Sequence, residues 1–135
     1  MLQLARAAAV RTGRELSRGD VRLSSWGPVT VAYKAAERDI ILDRPDSVLE
    51  AAERLSHAGR GGTEYHRHRL DVAKAYVMKR QHGRAVEVLG DVHAEAPEWL
   101  SQQRYAADIM TDVIGRRRTL TPQMRVLADA VGVPL

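Results

Sequence analysis

The stretch AKAYVMKRQHGRAVEVLGDVHAEAP, from Ala73 to Pro97, decides the fold. It reads as two helices around the turn Gln81-His82-Gly83, closed by a proline that cannot continue the second helix. With His66 counted as position 1, Ala73, Tyr76, Ala85, Leu89, Val92 and Pro97 occupy positions 8, 11, 20, 24, 27 and 32. A fainter copy stands 37 residues earlier (73 − 36), where Ala36, Val48, Ala52 and Leu55 share that frame and Asp39 replaces the aromatic. A helix pair of this kind cannot bury its apolar face alone. Repetition therefore predicts stacked pairs with a concave surface, which supply a binding face and no chemistry of their own.

Working outward gives seven helices and no strand. Leu2 to Thr12 carries a helical apolar stripe, and Arg14 to Gly27 reads as a loop. Helices are expected over 29–42, 45–56, 64–80, 84–95, 98–114 and 122–131, with Pro28 opening the first of these and Gly59 to Thr63 as a flexible connector. Thr63 is the expected N-cap of the helix that follows, and Thr121-Pro122 the cap and first turn of the last. Gly115 should end the helix before it, with the adjacent arginines at the negative end of the helix dipole. The whole is one domain over 1–135: an N-terminal helix plus loop at 1–27, a first repeat at 28–56, a second at 63–97 and C-terminal helices at 98–131.

Composition sets the outer bounds. A chain of 135 residues without Phe must build its core from Ala, Val, Leu and Ile, which favours closely packed helices. The absence of cysteine excludes disulfides, thiolate metal sites and cysteine nucleophiles. No apolar run is long enough to span a bilayer, so the expected compartment is the cytoplasm and no membrane partner is expected. The formal charge is +4, but only Arg116-Arg117-Arg118 form a basic run.

Positions 8 to 32 above are those at which a tetratricopeptide repeat places its packing residues and its terminal proline. Trp26-Gly27-Pro28-Val29-Thr30-Val31-Ala32, Pro97-Glu98-Trp99-Leu100, Tyr105-Ala106-Ala107-Asp108-Ile109 and the run Gly115 to Arg125 also resemble a family. It is the tetratricopeptide-like C-terminal region of actinobacterial helix-turn-helix (XRE-type) transcriptional regulators. The resemblance spans essentially the whole chain and implies an all-α, tetratricopeptide-like array in a regulatory setting. Family members carry a small DNA-binding domain ahead of the array, and none is expected within these 135 residues, so direct sequence-specific DNA binding by them is not expected. The expected function is a non-enzymatic sensory or binding module for a protein, peptide or small effector, with a homodimer as a further partner. The alternatives are a purely structural dimerisation domain and a free-standing adaptor for acidic peptides.

No catalytic constellation and no cofactor is expected. His66 and His68 stand at i and i+2, about 200° apart on a helix, and so cannot readily share a metal; a surface or partner-contact role is expected. The carboxylate pairs Glu87/Asp91 and Asp108/Asp112 lie at i, i+4, a spacing that usually marks a solvated face. Gly59-Arg60-Gly61-Gly62 lacks the lysine of a phosphate-binding loop. Trp26 and Trp99, each near a proline, are expected to pack between helices.

The repeat architecture that the chain resembles points positions 2, 5, 6 and 9 of each unit into the concave face. That selects Thr30, Tyr33, Lys34 and Glu37, then Arg67, Leu70, Asp71 and Lys74, then Ser101, Arg104, Tyr105 and Asp108. The expected groove sets Lys34, Arg67, Lys74 and Arg104 among Tyr33 and Tyr105, with Glu37, Asp71 and Asp108 as internal acids. Four cations against three acids predict one site left for a ligand carboxylate or phosphate.

Overall fold

The computed structural model describes residues 28–55, 62–117 and 119–135. The expected helix at 2–12, Trp26, the 59–61 connector and Arg118 lie outside these. Among the described residues the chain is all helical: α1 (Pro28–Ile41), α2 (Pro45–Arg54), α3 (Thr63–Met78), α4 (His82–Glu95), α5 (Pro97–Ser101), α6 (Arg104–Gly115) and α7 (Pro122–Ala130).

The helix total equals the expected seven by a different division. One expected helix is not described, and the expected helix 98–114 is broken into α5 and α6. The break falls at Gln102-Gln103, where Gln103 is extended (φ −93°, ψ 107°). Side chains there take backbone acceptors: Ser101 Oγ donates to Glu98 O at 2.8 Å and Gln103 Nε2 to Trp99 O at 3.2 Å. Leu100 is fully buried just ahead of the break.

The turns inside the two repeats are the same structure. After α1, Asp43 N–H donates to Ile40 O and Arg44 N–H to Asp39 O; after α3, Arg80 N–H donates to Val77 O and Gln81 N–H to Tyr76 O. Both are Schellman closures, with Asp43 (φ 58°) and Arg80 (φ 61°) at the left-handed position where glycine is usual. These residues are again 37 apart (80 − 43). The tight closure moves the second turn upstream, so α4 begins at His82 rather than Arg84. It also ends α3 at Met78 rather than Arg80. Thr63 is the first residue of α3 rather than its cap; extended Gly62 precedes it and no side chain caps the helix. Thr121 does cap α7, its Oγ1 accepting from Met124 N–H at 3.2 Å.

Contacts fix the helix directions. Thr30 meets Glu64 and Tyr33 meets His68, so α1 and α3 run side by side in the same sense. Asp71 meets Tyr105 and Lys74 meets Asp112, so α3 and α6 do likewise. His66–Glu95 and Arg69–Asp91 show α4 running back along α3. The thirty-seven-residue frame is the core: Ala36, Val48, Ala73, Ala85, Leu89 and Val92 are all buried. Alanines at the α1–α3–α4 crossings let the backbones approach, which is how a core without Phe is filled. The core continues through Leu100, Ile109, Met110, Val113, Met124 and Leu127. None of the described helices is long and apolar enough to cross a membrane.

Candidate binding groove

The parallel helices α1, α3 and α6 place Tyr33, Lys34, Glu37, Arg67, Asp71, Lys74 and Tyr105 along one side of the array. A small cavity of about 50 Å³ opens between α1 and α3, lined by Tyr33, Lys34, Glu37, Glu64, Arg67, His68 and Asp71. Five of the nine residues that the sequence assigns to the groove therefore line one cavity. Tyr105 adjoins it through Asp71. Lys74 lies further along α3, and Arg104 and Asp108 are exposed on α6. Leu70, also at a concave-face position of the repeat, is fully buried in the core instead.

Asp71 is 3% exposed, and its only hydrogen bond from a described residue comes from Tyr105. The phenolic Oη donates to Asp71 Oδ1 at 2.9 Å. Burial pushes the Asp71 carboxyl up to about 6, against the opposing pull of Tyr105 and Arg67. Burial, then the charge of Asp71, push the Tyr105 hydroxyl far above its ordinary value. Arg67 lies over the Tyr105 ring, 4.5 Å from its centroid, completing a chain from guanidinium to ring to carboxylate.

The cations of the groove side are engaged by partners that the sequence frame does not select as well as by ones that it does. Lys34 faces Glu37 at 3.8 Å and Lys74 faces Asp112 at 3.3 Å. Asp112 is thus the partner of a lysine on α3 rather than half of a carboxylate pair with Asp108. Glu64, which the repeat frame does not select, joins the lining. With Glu37, Asp71 and Asp108, five acids stand among the four cations. Of those cations, Arg104 alone has neither an ion pair nor a ring contact with a described residue. Pairing across helices depends on helix register, which a count of charges along the sequence does not contain.

The expectation of surface histidines is corrected. His66 and His68 are 8% and 3% exposed, and they leave α3 toward different neighbours. His66 packs against Trp99, with Nδ1 3.9 Å from a Glu95 carboxylate oxygen. His68 stacks on Tyr33, ring centroids 4.7 Å apart. Both ring nitrogens of His68 are buried and neither has a partner among the described residues. Burial lowers its pKa to about 4, so the ring is neutral at pH 7 and presents one donor and one acceptor. The described residues contain no cluster of three or more metal-ligating side chains.

A second, wider cavity of about 290 Å³ lies on the other side of α3, between α2 and α4. Leu49, Ala52, Val72, Tyr76 and Val88 form its apolar part. At its rim Arg69 pairs with Asp91 at 3.5 Å and Arg84 lies 6.0 Å from the Tyr76 ring centroid. No motif signals this cavity, because Tyr76 and Ala52 occupy ordinary packing positions of the repeat. Comparison with protein-family models, curated proteins and solved structures yields no match to the chain.

Proposed function

We propose that the chain is a non-enzymatic binding module, the sensory region of a transcriptional regulator, which takes a peptide or small effector in the groove between α1 and α3. The regulatory setting rests on the resemblance of its last third to that family. The observation that supports the groove is His68. An imidazole with two buried, unpartnered nitrogens is costly to leave so, at about 1–3 kcal/mol per unmet group. A ligand that moves the Tyr33 ring aside, accepting from one of these nitrogens and donating to the other, removes that cost, with the Arg67 guanidinium among the lining residues for its polar groups. Peptides and small hydroxy or amido acids offer such paired groups.

The reading is tested by titrating the protein with short peptides carrying a free C-terminal carboxylate, followed by amide and imidazole NMR shifts. Shifts centred on Tyr33, Arg67, His68 and Asp71, absent in His68→Phe, support it. Unchanged shifts in His68→Phe, or none across the panel, reject the groove as a ligand site.

A self-association role is favoured by a separate observation. Among the described residues the large exposed apolar side chains are Ile41 and Leu42, at and just past the end of α1, and Val126 and Leu135, on and five residues past α7, the first and last described helices of the array. Sedimentation that stays monomeric at high concentration rules this out.

A further inference from the structure

The basic run after Gly115 does not stand alone in three dimensions. Arg117, two residues past the end of α6, comes back onto the α3–α4 turn, with Arg116 its neighbour in the chain. A guanidinium nitrogen of Arg117 lies 3.6 Å from where a Cβ on Gly83 would stand, over the first turn of α4. Arg80, held at φ 61° by the Schellman closure, stands in this same turn, two residues before His82. His82 lies among them. Its Nε2 is buried with no partner among the described residues. Partial burial first, then Arg117, Arg116 and Arg80, lower its pKa against the opposing charge of Asp112.

This concentration of charge is not neutralised from within. Arg80, Arg116 and Arg117 form no ion pair with a described residue, and Asp112, the acid beside them, is engaged by Lys74. The first turn of α4 adds to the same sign. It contains no acidic residue and Gln81 gives it no side-chain cap, so its leading N–H groups face outward with the positive end of the helix dipole. The carboxyl end of α6 offsets part of this for Arg116 and Arg117, but a cation over a helix N-terminus is unfavourable without a counter-anion. The three arginines are all exposed, and neither of the two cavities includes them. An open cluster of arginines with no enclosing walls suits a polyanion backbone rather than a small enclosed ligand.

We propose that the α3–α4 turn and the end of α6 form a nucleic-acid phosphate contact, in which Arg80, Arg116 and Arg117 bind backbone phosphates without reading sequence. The site is separate from the α1–α3 groove and does not depend on it. Guanidinium forks match phosphate oxygens, and the interaction supplies affinity and orientation but no base recognition.

The test is fluorescence anisotropy of a short labelled DNA duplex of arbitrary sequence, measured between about 50 and 200 mM salt. Wild-type protein should bind at the low end and release at the high end. Arg116→Gln with Arg117→Gln should weaken binding at least tenfold at low salt. It should also reduce the slope of log K against log salt by about 2, one for each phosphate that an arginine no longer neutralises. Arg38→Gln with Arg54→Gln removes the same charge from exposed positions on α1 and α2 and should change affinity less than twofold. Circular dichroism confirms that both doubles keep their helix. Equal weakening in the two doubles would show diffuse attraction to a basic protein and overturn the proposal. So would no wild-type binding at low salt, or displacement of the duplex by inorganic phosphate at equal phosphate concentration.

Discussion

Tyr105 on α6 donates to Asp71 on α3 at 2.9 Å, across 34 residues of chain. The bond joins the second and third layers of the array beside the candidate groove. It explains how a carboxylate tolerates a position that is almost without solvent. Tyr105→Phe keeps the ring under Arg67 and removes only the donor. It should cost about 1–3 kcal/mol at pH 7, because the carboxylate loses its hydrogen bond while remaining buried. Urea unfolding measures this; an unchanged midpoint would mean that Asp71 finds another donor or moves to water.

The pH dependence of stability should show two opposed groups on one helix. Asp71 has its pKa raised from 3.8 to about 6, so its contribution is fully present below pH 3.8 and is lost as pH rises to 6. His68 has its pKa lowered from 6.5 to about 4, so its contribution is present above pH 6.5 and is lost as pH falls to 4. Wild-type stability should vary little over that window. Asp71→Asn should leave a protein that weakens as pH drops from 6.5 to 4. His68→Phe should leave one that strengthens as pH drops from 6 to 3.8. Melting curves of the two variants across this range should slope in opposite directions; parallel slopes would remove both assignments.

Ala73 is fully buried at the α3 crossing, where the repeat frame demands a small side chain. Ala73→Leu should overpack the junction and cost about 1–3 kcal/mol, with the far-ultraviolet spectrum retained. A neutral result would mean that the helices separate freely and that the alanine frame does not set their spacing.

Arg80 occupies a left-handed conformation that disfavours any residue with a Cβ by about 1 kcal/mol. Arg80→Gly should raise stability by up to that amount, and Asp43→Gly by less, since aspartate tolerates this region better. Denaturant midpoints for the pair check the ranking.

Arg104 is exposed and makes no ion pair or hydrogen bond with a described residue. Arg104→Ala should therefore leave the melting temperature unchanged within about 0.5 kcal/mol of stability. A larger effect would make Arg104 a structural residue and withdraw it from the groove.

The all-helical class, the 37-residue frame and the buried alanines within it are all legible in the amino-acid order alone. They follow from local spacing, since apolar periodicity and proline positions act within a single helix. Most of the residues along the groove side are legible for the same reason, because helical phase follows from residue number. What those residues do there came from the packing of helices against one another. Lys74 found Asp112, Tyr105 found Asp71, and His68 lost its solvent beneath Tyr33, each through register between helices more than 30 residues apart in the chain. The gathering of Arg80, Arg116 and Arg117 has the same origin. The break between α5 and α6 likewise answers to the burial of Leu100 and to side-chain bonds at Ser101 and Gln103, against a continuous helical pattern in the sequence. Coulombic and desolvation energies depend on distances and burial that no one-dimensional pattern records.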